Sequence, residues 1–147
     1  YTHFHTYLNI PDTSGRDSLF QAESRRCKEV LDEIQDNDCE NGFRHFCIFD
    51  ELYSGTNPDE ATLAGQAFIE YLCEFSNVNF ILTTHYFKIC SYCKNHKRIQ
   101  NYKMDVIVDD NDEFTYTYKI KKGASKIKGG IRVLKDLNYP SAILDKL

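Results

Sequence analysis

The chain has no stretch approaching the roughly 18 apolar residues that a membrane-spanning helix needs. Its first residues, Tyr1-Thr2-His3-Phe4-His5, lack the basic and apolar regions of a secretory signal. A soluble, intracellular protein is therefore the expectation. Positive charge is also short: 18 Lys and Arg stand against 22 Asp and Glu, for a formal net charge of −4 and a pI near 5.7. That balance excludes a domain that holds nucleic acid across its whole surface by neutralising phosphates, while a local basic segment is compatible with it. The sequence contains no internal repeat, low-complexity tract or interdomain linker. It begins on Tyr1 rather than an initiator Met, with a strand-like segment already under way, so a piece of something larger is expected.

What is present suits a globular fold. With 147 residues, 41% hydrophobic and 27% charged, the chain fits one domain of ordinary size. Three of its six cysteines fall at predicted buried helix or strand positions, which fits free thiols in a reducing compartment better than a disulfide framework. Cys90-x-x-Cys93, flanked by His85 and His96, has ligand types that zinc accepts. A second tight pair of ligands is missing, and two thiols three apart on one helix face are the simpler account.

Hydrophobic spacing orders the chain. His3 to Leu8 mixes aromatic and β-branched residues like a strand, and Pro11-Asp12-Thr13-Ser14-Gly15 follows as a loop. Phe20, Cys27, Val30, Leu31 and Ile34 then recur at helical period behind a capping box, Ser18-x-x-Gln21. Phe43 to Phe49 is a near-continuous apolar run, expected of a strand covered on both faces. Asn57-Pro58-Asp59-Glu60 supplies an N-cap, an N1 proline and first-turn acids, after which Ala61, Ala64, Phe68, Tyr71, Leu72 and Phe75 mark an apolar stripe. Val78 to Leu82 is a second buried strand ending in Thr83-Thr84-His85. Lys103 to Val108 and Phe114 to Ile120 predict a hairpin about Asp109-Asp110-Asn111-Asp112, and short helices are expected from Gly129 through Leu137 and after Pro140.

Strand, helix, strand within about forty residues is a βαβ unit with a right-handed parallel crossover. Ligands of such sheets sit outside the carboxyl ends of the strands, so Asp50, Glu51 and His85 are expected to converge on one edge. An apolar strand running into two adjacent carboxylates, His45-Phe46-Cys47-Ile48-Phe49-Asp50-Glu51, places charges where a cation, a donor or a reaction must compensate desolvation. Asp50 suits Mg²⁺, held directly or through its waters. Glu51 suits orientation or deprotonation of a water that attacks a γ-phosphate, with His85 beside the transferred group. Plain polar caps are the alternative for the acid pair, and a satisfied strand-end histidine for His85.

Several ordered motifs together carry a resemblance. Asp17-Ser18-Leu19-Phe20-Gln21-Ala22-Glu23, Phe46 to Glu51, Gly55-Thr56, Thr83-Thr84-His85-Tyr86-Phe87, Tyr118-Lys119-Ile120, Gly123-Ala124-Ser125 and Gly130-Ile131 match, in order and spacing, the C-terminal half of the MutS mismatch-repair ATPase domain. That family is a branch of the ABC-type ATPases. The resemblance implies an α/β fold: part of a P-loop NTPase sheet with flanking helices, parallel central strands, a C-terminal β-hairpin and short helices. It implies Asp50 as the Mg²⁺ carboxylate, Glu51 as catalytic base and His85 as a switch histidine near the γ-phosphate. Gly55 and Thr56 fall in the loop after the acid pair, and Ser18 would contact the nucleotide of the opposite subunit in a composite site. An N-cap role alone also accounts for Ser18. The implied partners are ATP, mismatched double-stranded DNA through upstream domains, and a second subunit in a homo- or heterodimer.

The sequence departs from the family in two places. The usual Gly-Arg-Gly-Thr loop appears as Leu52-Tyr53-Ser54-Gly55-Thr56, and Gly15-Arg16-Asp17-Ser18 precedes the helix, setting Asp17 near a presumed phosphate. A Gly-x-x-x-x-Gly-Lys-Ser/Thr phosphate loop is absent from the 147 residues, so backbone donors and a lysine for the phosphates must come from an upstream segment. The fragment alone is expected to bind ATP poorly and hydrolyse it negligibly. A catalytically silent module that keeps the ATPase fold for dimerisation is the competing hypothesis. The basic segment Lys119 to Lys128 is expected to be a solvated hairpin end, since no aromatic residue interleaves it for stacking on DNA.

Overall fold

The computed structural model describes residues 1–8, 10, 18–37, 41–109, 113–127 and 129–147. They fall into two compact units, Tyr1–Ile99 and Gln100–Leu147. The division lies within Arg98-Ile99-Gln100-Asn101, a stretch without Gly, Pro or Ser, so composition gives no sign of it. Together the units are mixed α/β: a three-stranded parallel sheet with helices in the first, an antiparallel hairpin with two short helices in the second.

In the first unit, β1 (His3–Tyr7), β2 (His45–Phe49) and β3 (Val78–Leu82) pair in the order β1-β2-β3. The register sets Tyr7, Phe49 and Leu82 in one row and His5, Cys47 and Phe80 in the next. Three helices accompany the sheet: α1 (Leu19–Asp36), α2 (Pro58–Leu72) and α3 (Phe87–Cys93). The main core joins Tyr7, Cys47, Phe49 and Val78 of the strands to Cys27, Val30 and Ile34 of α1 and Ala61, Phe68 and Leu72 of α2. A smaller cluster joins Ile69 to Ile89 and Cys93 of α3.

Both main helices start as their sequences dictate. The Ser18 hydroxyl accepts from the Gln21 N–H while the Gln21 side chain accepts from the Ser18 N–H, a complete capping box. Asn57 Oδ1 accepts from the N–H groups of Asp59 and Glu60, with Pro58 at the first helical position. Boundaries shift elsewhere. Strand β2 begins at His45 rather than Phe43, and the left-handed Gly42, φ 75°, lies three residues before it. Phe75 lies past the end of α2, stacked edge-on against Tyr71 at 5.2 Å.

The expectation that β2 is covered on both faces needs correction. Its burial alternates, His45, Cys47 and Phe49 being buried and Phe46 and Ile48 intermediate. On that second face Phe4 is 70% exposed and Ile81 56%. The apolar run therefore reports a sheet whose second face is only partly covered by the described residues.

Two buried histidines tie β1 to β2. His45 Nε2 lies 2.9 Å from the Asn37 carbonyl, which can only accept, so that nitrogen carries the proton. His45 Nδ1 then accepts from His5 Nε2 at 2.9 Å, and His5 Nδ1 faces Glu33 of α1 at 3.3 Å.

In the second unit, β4 (Tyr102–Val108) and β5 (Phe114–Lys122) pair antiparallel. The register shifts between Met104, opposite Ile120, and Val106, opposite Tyr116, and Tyr118 in the resulting bulge has φ 56°. Lys121 pairs with Asp105 at 3.0 Å. Helices α4 (Gly129–Asp136) and α5 (Ser141–Leu144) follow, with Arg132 bonded to Glu113 and Asp136. Residues 110–112 of the predicted turn, Lys128, and the loop positions Gly15, Arg16 and Asp17 lie outside the described residues.

Candidate functional site

Asp50 and Glu51 follow β2 directly, and Thr83, Thr84 and His85 follow β3, so the parallel ladder delivers both segments to the same sheet edge. The Asp50 N–H donates to the Tyr7 carbonyl and the Thr83 N–H to the Phe49 carbonyl, each at 2.9 Å, which continues the ladder one step beyond the strands. Thr83 then serves both acids: its hydroxyl donates to Asp50 Oδ1 at 2.5 Å and accepts from the Glu51 N–H at 3.1 Å. His85 Nδ1 bonds to Glu51 Oε2. A carboxylate only accepts, so Nδ1 carries the proton and Nε2 is left for another partner. Glu51 has φ 55°, a left-handed backbone that ends the strand's alternation at the residue that meets His85.

The structure thus brings Asp50, Glu51 and His85 together, and adds Thr83 as the residue that joins the two strand ends. Both Glu51 and His85 remain about half exposed, at 47% and 59% of their side chains, so the pair is open to a ligand. Beneath the acids lies a pocket of 190 Å³, lined by Tyr7, Leu19, Glu23, Asp50, Glu51 and Ser54 among others. Ligand sites for whole small molecules usually run to about 300–1,000 Å³, so this one is a partial cavity.

The other predicted residues divide. Ser18 is the exposed N-cap of α1, its hydroxyl engaged locally. Thr56 donates to Glu60 at 2.7 Å and braces the start of α2. Gly55 packs against the first turn of α1: a Cβ there would lie 2.7 Å from Leu19 Cγ and 2.8 Å from the Phe20 nitrogen.

Glu23 was not singled out by sequence reasoning as a site residue. It is 2% exposed, and its carboxylate accepts from the Ser54 N–H and hydroxyl, both at 2.9 Å, and from the Gly55 N–H at 3.0 Å. The signal was visible: Glu23, Cys27, Val30 and Ile34 form one buried stripe of α1, and a carboxylate on an apolar stripe needs partners. Tyr7 belongs to the same cluster. Its phenol oxygen accepts from the Tyr53 N–H, and burial pushes its pKa up, with the neighbouring Glu23 adding to the shift.

The cysteine motif behaves differently. Among the described residues, no group of three or more His, Cys, Asp or Glu is placed to hold a metal ion by itself. Burial pushes the Cys93 thiol up to about 11, with Cys90 and Cys73 adding to the shift, and His96 Nδ1 accepts from the Arg98 N–H at 3.3 Å. Cys27, Cys47, Cys73 and Cys93 carry free thiols, Cys27 and Cys47 each pushed up to about 12 by burial; Cys39 lies outside the described residues.

Comparison with known proteins agrees with the motifs. The family model described as MutS domain V matches residues 7–147. The chain is 27% identical over 138 residues to the DNA mismatch repair protein MutS of Prochlorococcus marinus, covering 93% of this chain and 14% of that protein. It is 28% identical over 132 residues to the protein of the same name from Bacteroides fragilis, covering 88% of this chain and 14% of that one. Endonuclease MutS2 of Fusobacterium nucleatum is 29% identical over 129 residues, covering 88% and 15% respectively. The chain thus spans about one-seventh of the length of these relatives. With nearly every residue inside the family match, the chain belongs to the MutS family.

Proposed function

We propose that the chain is the C-terminal half of the ATPase domain of a MutS-type mismatch-repair protein, an ABC-type member of the P-loop NTPases. The observation that carries this is the Thr83-bridged set of Asp50, Glu51 and His85 at the carboxyl edge of a parallel sheet. The small pocket beside it suits half of a nucleotide site, the phosphate loop and its lysine coming from an upstream segment.

The residues fit a Mg²⁺ ion, which needs only one or two protein carboxylates when phosphates and waters complete its shell. Asp50 would hold it, one carboxylate oxygen steadied by Thr83. Bound there, the ion would offset negative charge on the phosphates. Glu51 takes the proton of the attacking water, and its position is fixed from two sides: Thr83 on its backbone and His85 on its carboxylate. His85 donates to Glu51 through Nδ1, and with a second proton on Nε2 it would donate from there to the transferred phosphoryl group. Ser18, at the exposed start of α1, would reach the nucleotide of a second subunit, and closure of that dimer site would couple ATP binding to mismatched DNA held by upstream domains.

The test is ATP turnover by the whole protein carrying this chain. Glu51→Gln should lower kcat by about 10²–10⁴-fold, the usual contribution of a general base, while ATP binding is retained. Absence of turnover in the unaltered whole protein would show that the fold serves as a silent dimerisation module, and turnover unchanged in Glu51→Gln would remove Glu51 as the base. Turnover by the isolated chain, lost in Glu51→Gln, would refute the need for an upstream phosphate loop.

A further inference from the structure

We propose that Glu23 is a positioning residue: a buried carboxylate that locks the start of α1 to the loop after Glu51, so that Ser18 and Glu51 move as one body. The proposal rests on the ATPase reading above and concerns how that site is regulated.

Three observations place the lock. Glu23 reaches from the second turn of α1 into the 51–55 loop and takes three hydrogen bonds there, two of them from backbone N–H groups. Those groups belong to Ser54 and Gly55, three and four residues beyond Glu51. The loop also touches the helix start directly, since Gly55 approaches Leu19 and Phe20 so closely that a Cβ would clash with a backbone nitrogen. Finally, Leu19, Glu23, Ser54, Asp50 and Glu51 line one pocket, so the locked elements are the walls of the site.

The physics favours a stiff connection. A carboxylate with 2% exposure is expensive to leave unpaired, so pulling the loop from the helix would strand both Glu23 and the Ser54 and Gly55 donors. Any displacement of the helix start, as when a second subunit's nucleotide meets Ser18, is thereby passed to a loop anchored on Glu51. Tyr53 within that loop is held from outside it as well, its N–H donating to the buried Tyr7 phenol oxygen at 3.3 Å.

Glu23→Gln in the whole protein tests the idea. It keeps the shape but turns an NH₂ group toward backbone donors. Expected is a fall in kcat of about 10- to 100-fold with KM for ATP unchanged, as for a small misplacement of the base. The fall should be non-additive with Ser18→Ala: once the lock is broken, removing the Ser18 hydroxyl should cost no further kcat. Should Glu23→Gln not fold, Ser54→Ala at the exposed end of the lock replaces it, with a smaller fall in kcat and the same non-additivity. Wild-type kcat in Glu23→Gln or Ser54→Ala, or effects that simply add to Ser18→Ala, would overturn the lock while leaving the ATPase reading intact. Absence of turnover in the unaltered whole protein would overturn the reading itself.

Discussion

Gly55→Ala isolates the contact between the loop and α1 in a single methyl group. Gly55 has no left-handed backbone, so alanine costs nothing in φ; the cost is space. The new Cβ would stand 2.7 Å from Leu19 Cγ, 2.9 Å from Leu19 Cβ and 2.8 Å from the Phe20 nitrogen. Leu19 can rotate, but the Phe20 nitrogen belongs to the first turn of a helix and moves only if the turn does. Overpacking of this kind costs about 1–3 kcal/mol. The stiffer unfolded chain returns about 0.4–1 kcal/mol, leaving a net loss of about 1–2 kcal/mol. Gly65→Ala is the internal control. There the Cβ meets the far end of one side chain, Ile89 Cδ1 at 2.9 Å, and lies inside α2, where alanine gains about 1 kcal/mol of helix propensity. Urea unfolding followed by far-UV circular dichroism, with ΔΔG taken from midpoints at a common slope, reads both variants. If Gly55→Ala proves as mild as Gly65→Ala, the loop does not press on the helix and the steric reasoning fails.

Two further outcomes follow from the first unit. Asn57→Ala removes the acceptor for the Asp59 and Glu60 N–H groups and should cost about 1 kcal/mol in the same unfolding assay; no loss would show that α2 starts without its cap. Acid should destabilise the unit through His5. Burial lowers its pKa from 6.5, with His45, His3 and Arg26 pushing the same way and Glu33 opposing. The unfolded chain then takes up a proton first, so this contribution to stability is full above 6.5 and is lost as pH falls through the folded value. His5→Gln should flatten that slope, and an unchanged slope in the variant would assign the acid sensitivity elsewhere.

Local rules made much of this fold legible. The capping box at Ser18 and the Asn57-Pro58 start are one-turn arrangements whose partners lie within three residues, and the structure forms both. Asp50, Glu51 and His85 met because parallel pairing of two apolar runs leaves little freedom in where their ends fall. What escaped depends on contacts across long separations. Thr83 stood next to a highlighted histidine, yet its role is set by which of three polar residues points at β2. Glu23 closed a motif that carried the family resemblance, yet its role stayed hidden until the burial of its face placed it on the stripe with Cys27 and Val30. The two-unit division at Ile99 left no trace, since neither glycine nor proline marks the boundary.

If Glu51 is the base as proposed, the left-handed turn there sets sturdiness against chemistry at one position. A side chain there costs about 1–2 kcal/mol relative to ordinary backbone, a cost glycine or asparagine would largely escape. A library sorted only for resistance to unfolding should drift away from glutamate at this position and, on the proposed role of Glu51, collect robust, idle proteins. Thermostable derivatives of this chain are therefore best sought with residue 51 held fixed.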